Sequence, residues 1–177
     1  MIGGVLLLVM LALAALAPLL GTVDPAQLDP SWRNRPPGTE RVIVDAAGAE
    51  RAFVHRMGTD TLGRDVYSRV LFGARISLAV GVAVAALAVV IGLAIGLVAG
   101  YLRWLDAIVM RLMDGLMAIP AILLALALVA LWGAGLVTVV AAIAVPEIPR
   151  VVRLVRAVVL SVREEPYVEA AVAVGTR

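Results

Sequence analysis

Long apolar runs without a charged side chain constrain this sequence more than any other feature. Residues 2–20 and 76–101 are two such runs, and each could cross roughly 30 Å of hydrocarbon as a helix rising about 1.5 Å per residue. A third stretch, residues 116–148, would be roughly 50 Å long as one helix. Because Gly133 and Gly135 interrupt it, we expect two helices joined by a tight turn. The sequence thus predicts an all-α, polytopic transmembrane helix bundle.

Composition supports a membrane location and excludes several chemistries. The apolar fraction is 63%, whereas soluble domains are nearer 45–50%. The chain has no Cys and a single His, His55, so we predict no disulfide and no metal site. All 15 basic residues are Arg. Because a P-loop ATPase requires a Lys on the nucleotide phosphates, this chain cannot itself be one. The arginines flank the apolar runs, which indicates membrane topology rather than a nucleic-acid surface.

The N-terminal part is expected to form one helix and a long polar loop. Residues 1–21 are interpreted as a first transmembrane helix, and the alternative, a signal peptide, is disfavoured because a basic n-region is missing. Residues 22–75 form the loop, in which alternating residues predict a small β-hairpin over 41–55. Residues 65–75 would form a short helix on the membrane surface.

Residues 76–177 are interpreted as the core domain. Its transmembrane helices are predicted at about 76–101, 114–132 and 136–155, followed by a cytoplasmic coupling region over 161–177. Short Arg-rich segments face the cytoplasm, and Arg103 and Arg111 lie between the second and third helices. Further arginines follow the apolar half of the fourth helix, so we place both segments inside. The 22–75 loop is then extracytoplasmic.

Acidic and basic residues cluster at the predicted inner ends of the third and fourth helices. We interpret them as cytoplasmic-interface charges that hold the helices in place, with a proton or cation site as the alternative. The cluster consists of Asp106, Arg111, Asp114, Arg150 and Arg153. Because the second and third helices carry no ionisable residue at mid-bilayer depth, a proton-coupled transporter is disfavoured.

A glycine face is predicted on the second helix. Gly92, Gly96 and Gly100 recur every four residues, the spacing that lets helix backbones approach closely. We expect this face to pack against another helix of the same assembly, with homodimerisation as the alternative.

Four stretches, in order, resemble the permease subunits of dipeptide, oligopeptide and nickel ABC importers. The most specific begins at His55-Arg-Met-Gly-Thr-Asp and continues to Leu78, and weaker ones include Ala99-Gly-Tyr101 and a last stretch ending at Gly175. The charged groups of the most specific stretch could contact substrate or a binding protein, but we favour the interpretation that they cap short helices and pair locally. This outer-loop signature comprises Gly58, Thr59, Asp60, Gly63, Arg64, Asp65, Ser68 and Arg69.

The last stretch looks like the motif by which importer permeases dock onto their ATPases. It comprises Glu169, Ala170, Ala171 and Gly175. Small alanines let a helix enter a groove closely, Glu169 suits a helix N-terminus, and Gly175 could end the helix. Val172 departs from the family, which usually has Arg or Lys there.

The resemblance implies a multi-pass subunit of the bacterial cytoplasmic (inner) membrane. Such permeases have six helices, of which about four are expected here, so the sequence is interpreted as truncated at its C-terminus. The implied partners are a second permease subunit, two cytoplasmic ABC ATPases that carry ATP and Mg, an extracytoplasmic solute-binding protein and membrane lipid, but no nucleic acid. The chain itself would bind no cofactor, and no catalytic residue is assigned.

Two other interpretations stay open. One is a secondary transporter or channel, and the other is an inactive, truncated membrane fragment. The substrate is also open, because relatives with this signature handle peptides, nickel chelates, glutathione or sugars.

Overall fold

Helices dominate the computed structural model, which describes residues 2–44, 48 and 50–175. The predicted fold class is thereby confirmed at the level of a largely helical membrane protein. The chain divides into two compact units, Met1–Ala79 and Val80–Arg177, and each is described by itself.

The first unit begins with an apolar helix and contains a small sheet. Helix α1 spans Ile2–Leu16 and is followed by a 3₁₀ turn at Ala17–Leu19. Strands β1 (Thr39–Val44) and β2 (Glu50–His55) pair antiparallel, in the segment for which the sequence predicts a hairpin. The predicted turn between the strands lies outside the described residues, apart from Gly48.

Helix α2 corrects the prediction of a separate surface helix. It spans Val66–Tyr101, whereas the sequence predicts one helix over 65–75 and another from residue 76. The segment contains no Pro, and extending an existing helix costs much less than nucleating a second one. With 36 residues, α2 is roughly 54 Å long. Part of it therefore extends beyond the hydrocarbon of a bilayer.

The predicted third helix, 114–132, is broken in the structure. Helix α3 spans Arg103–Ala118, helix α4 spans Ala121–Trp132, and the two are bent by 90°. Pro120 explains the break, because proline disfavours α conformation in the preceding residue. Ile119 is accordingly extended, with ψ at 126°. At 12 residues, α4 is roughly 18 Å long, too short to cross a bilayer by itself.

The fourth helix is longer than predicted. Helix α5 spans Leu136–Arg163 and contains Pro146 and Pro149, whereas the predicted transmembrane part is 136–155 and the predicted helix continues to residue 160. Helix α6 spans Pro166–Ala173. Pro166 suits the first position of the helix, because the N–H group that proline lacks would have no hydrogen-bond partner within the helix there.

Glycines of α2 bring this helix close to α5 within the second unit. Cβ atoms built on Gly92, Gly96 and Gly100 would lie 2.6, 2.8 and 2.7 Å from valine side chains of α5. The valines are Val151, Val155 and Val159, respectively. Because real Cβ atoms do not approach so closely, glycine permits this helix separation. The close approach predicted from the spacing therefore occurs within one chain.

Two helices in the described part of the chain are long and apolar enough to cross a membrane. They are Ile2–Leu19 and Val66–Tyr101, and the bent pair of α3 and α4 makes three if it forms one span. The sequence predicts four spans. Helix α5 does not meet the same criteria, because charged residues such as Glu147 and Arg150 interrupt it after its apolar first half.

Candidate functional site

The outer-loop signature forms a compact turn tied to the chain that precedes the sheet. The turn closes through a backbone hydrogen bond of 3.1 Å, which Val66 N donates to Gly58 O. Thr59 N donates to Arg35 O at 3.1 Å, while its Oγ1 accepts from Arg35 N at 2.9 Å and donates to Trp32 O at 2.5 Å. Buried polar groups of the turn are thus satisfied internally.

Two glycines of the signature are required by geometry. Gly58 and Gly63 have φ of 72° and 76°, a region that side-chain-bearing residues rarely adopt. A Cβ on Gly58 would lie 2.3 Å from Arg35 O, and one on Gly63 would lie 1.7 Å from Asp29 O. Both the backbone conformation and the lack of space therefore exclude larger residues.

Asp60 holds the turn together and binds two arginines. Its Oδ1 accepts from the backbone N–H groups of Leu62 and Arg64 at 2.8 and 3.0 Å. Its Oδ2 accepts from Arg64 Nε at 2.8 Å and from the Arg69 guanidinium. Desolvation acts to raise the pKa of Asp60, but the hydrogen bonds from Arg64 and Leu62 and the Arg64 charge lower it overall, from 3.8 to about 2.

Asp65 caps the start of α2 and pairs with a buried histidine. Its Oδ2 accepts from Ser68 N at 2.7 Å and from Ser68 Oγ at 2.6 Å, the geometry of an N-cap. Its Oδ1 lies 2.8 Å from His55 Nδ1, and these side chains are only 1% and 3% exposed. Ser68 Oγ in turn accepts from Val23 N at 2.9 Å. One carboxylate therefore connects α2, β2 and the chain that follows α1.

All the residues of the outer-loop signature lie in this turn or in the first turn of α2. The polar side chains among them make hydrogen bonds inside the first unit. This geometry favours local capping and pairing over direct contact with a substrate.

An arginine–tryptophan stack beside the turn was missed by sequence reasoning. The guanidinium carbons of Arg35 and Arg41 lie 5.5 and 5.3 Å from the centre of the Trp32 ring. Arg41 Nη1 also donates to Asp29 at 2.9 Å. A cavity of about 10 Å³ adjoins this stack and His55, enough for about one water molecule. Arg41 lies on the less exposed face of β1, opposite the buried Phe53 of β2, and no local sequence pattern indicates that placement.

Residues of the predicted charge cluster take part in two ion pairs between α3 and α5. The Arg156 guanidinium binds both carboxylate oxygens of Asp106, with 2.6 Å from Nη2 to Oδ2. Arg153 Nη2 donates to Asp114 Oδ1 at 2.5 Å. The first pair is the more buried, with side chains 30% and 23% exposed. Because burial reduces screening by water, it contributes more to helix packing than the exposed pair.

Two members of the predicted cluster are placed differently. Arg150 pairs with Glu147 on its own helix at 2.8 Å, and Arg111 makes no ion pair within the described residues. Arg156 is missing from the predicted cluster. Its position three residues after Arg153 puts both on one helix face, which is the signal that could have identified it.

Helix α6 presents the predicted docking motif at the surface. Glu169 lies in its first turn, and Ala170 and Ala171 are exposed. Gly175 has φ of 93°, and its N–H donates to Val172 O at 3.0 Å, so the helix ends there. The motif therefore forms a small, flat surface beyond the end of α5.

Comparison with known families matches the segment that contains these helices. The family described as "Binding-protein-dependent transport system inner membrane component" matches residues 88–177. The chain belongs to this family. The matched part of this inner membrane component includes the glycine face of α2, the α3–α5 charge pairs and the predicted docking motif on α6.

Individual relatives agree with the resemblance to peptide importer permeases. A Sinorhizobium fredii protein named as a peptide ABC transporter permease is 49% identical over 177 residues, which cover 100% of this chain and 56% of the relative. The dipeptide transport system permease protein of Alkalihalophilus pseudofirmus is 38% identical, with coverage of 99% and 54%. A glutathione transport system permease protein of Pectobacterium atrosepticum is 40% identical over 122 residues, with coverage of 68% and 40%. The chain spans about half the length of the first two relatives.

Proposed function

We propose that this chain is a permease subunit of an ATP-driven ABC importer. It forms part of the translocation pathway for peptides or related small solutes across the bacterial cytoplasmic membrane. The substrate class comes from the relatives, two of which are named for peptide or dipeptide transport. The subunit performs no covalent chemistry.

The observation that carries this proposal is the exposed docking motif on α6. Helix α6 follows α5 after only two residues, Glu164 and Glu165, and α5 packs against α2, α3 and α4. A force applied to α6 therefore reaches the membrane helices through one short connection. This placement is suited to a subunit that receives motion from a separate ATPase.

The proposed assembly contains several partners. A second permease subunit completes the pathway, two cytoplasmic ATPases carry ATP and Mg, and an extracytoplasmic binding protein delivers the solute. In this arrangement α6 faces the cytoplasm and the loop of residues 22–75 lies outside. Four membrane passes of this chain remain part of the proposal, with residues 114–132 (the end of α3 together with α4) as the third and residues 136–155 of α5 as the fourth.

Bulky substitution of the docking motif tests this function. In the natural gene product, co-expressed with its partner subunits, Ala171→Trp or Gly175→Trp should block entry of α6 into a groove on the ATPase. We expect co-purification of the ATPase subunits and ATP-dependent uptake to fall at least about tenfold, equivalent to about 1.4 kcal/mol of binding.

Ala26→Trp is the matched control for association with the ATPases. Ala26 is exposed in the loop after α1, so the same bulk is added far along the sequence from α6. ATPase association should be unchanged. Normal association and uptake in the α6 variants would contradict the docking role, and uptake that survives ATP depletion would favour a secondary transporter.

A further inference from the structure

The last residue of α5 binds the last carbonyls of α2. Arg163 Nη1 donates to Gly100 O at 2.9 Å and to Tyr101 O at 3.2 Å. Its guanidinium carbon also lies 5.9 Å from the centre of the Tyr101 ring. The final carbonyls of a helix have no intrahelical donor, and a cation there is favoured by the helix dipole. Arg163 thus acts as a C-terminal cap supplied by another helix.

This cap lies at the base of the docking helix. Arg163 is separated from α6 by only two residues. One turn earlier, Val159 fills the space beside Gly100, where a Cβ would lie 2.7 Å away. The close packing of α2 on α5 therefore continues to the point where the chain leaves for α6, and the polar contact adds to this apolar one.

We propose that Arg163 is a positioning residue that couples movement of α6 to movement of α2. The inference rests on the proposed function, because it assumes that an ATPase moves α6. With Arg163 in place, the end of α5 and the end of α2 move together. Without it, the short connection before α6 can bend while α2 stays in place, so ATP is hydrolysed with less transport.

Substitution of Arg163 in the assembled transporter tests the coupling. The natural gene product and its partner subunits are reconstituted in liposomes, and solute uptake and ATP hydrolysis are measured on the same preparation. For Arg163→Gln we expect about fivefold fewer solute molecules transported per ATP, the lower end of typical coupling energies. ATPase association should be unchanged. Arg163→Lys should restore part of the ratio, because an ammonium group still donates to carbonyls.

Arg103→Gln is the matched control. Arg103 begins α3, immediately after the α2 terminus, and makes no ion pair or side-chain hydrogen bond within the described ranges. Arg103→Gln removes one positive charge from the same region without removing a contact. The number of solute molecules transported per ATP should therefore stay unchanged.

Each remaining outcome separates the two proposals. An Arg163→Gln ratio equal to that of Arg103→Gln overturns the coupling role. A parallel fall in uptake and hydrolysis also overturns it, because that result indicates only a less stable protein. If the unsubstituted chain neither binds ATPase subunits nor supports ATP-dependent uptake, the proposed function itself fails.

Discussion

Single residues of the outer turn are held by contacts that the sequence indicates only in part. Asp and Thr suggested helix caps, and Asp65 does cap α2. The other carboxylate oxygen of Asp65 pairs with His55 of β2, and no local sequence pattern predicts that pairing. Asp29 approaches Gly63 through its backbone, another contact between distant parts of the loop. Local propensity thus predicts which residues cap, whereas tertiary contacts decide what else they bind.

Loss of the Asp65 carboxylate should destabilise the first unit. Asp65→Ala removes an N-cap, worth about 0.5–2 kcal/mol, and leaves His55 buried without its partner, which costs about 1–3 kcal/mol more. Thermal unfolding of the detergent-solubilised protein measures the change. Asp24→Ala is the control, since Asp24 is exposed and its side chain accepts only from Ala26 N within the described contacts. Equal effects of both substitutions would contradict the capping role.

Acid should weaken the turn through Asp60. The pKa of Asp60 in the folded protein is about 2, against 3.8 for an unperturbed Asp side chain. A lowered carboxylate pKa stabilises the fold above pH 3.8, and this contribution is lost as the pH falls from 3.8 through about 2. Thermal unfolding measured across this range should show the loss. Asp60→Asn should be less stable than the unsubstituted protein at neutral pH, and the difference should shrink toward pH 2. A constant difference would argue against this linkage.

At the scale of elements, apolar runs predicted the presence of helices better than their ends. The break at Pro120 follows from proline chemistry, but only the structure reports its 90° angle. The extension of α2 back to Val66 is accompanied by a local N-cap from Asp65, whereas the extension of α5 to Arg163 is accompanied by a bond to the end of another helix, α2.

The glycine face of α2 should tolerate no added methyl group. A Cβ on Gly96 would lie 2.8 Å from Val155 Cβ and 2.9 Å from Val152 O, so Gly96→Ala should cost about 1–3 kcal/mol through overpacking. Gly81→Ala is the control in the same helix, because nothing lies within 4 Å of its added Cβ. This second change should be neutral or stabilise by up to about 1 kcal/mol. Helical circular dichroism during heating compares the two, and equal melting temperatures would contradict close packing at Gly96.

At the scale of the whole molecule, sequence and structure agree on a helical membrane protein with its polar segment near the N-terminus. Family membership rests on residues 88–177, which lie mostly in the second unit. The docking motif stays a prediction, made because the order of its small and acidic residues resembles the family's. The sequence did not reveal Arg163 as a cap, since that role depends on a contact between residues more than 60 positions apart.

The contacts between α2 and α5 repeat every four residues along both helices. Residue numbers increase together along the contact, from Gly92 and Val151 to Gly100 and Val159, so the two helices run parallel. A displacement by four residues, about 6 Å, would place Ala88 opposite Val151 and would still place Gly92 and Gly96 opposite Val155 and Val159. Among the apolar contacts, the Cβ of Ala88 alone opposes this shifted register. Arg163 adds a second preference for the observed register, because the last carbonyls of α2, to which it donates, occur only once along that helix.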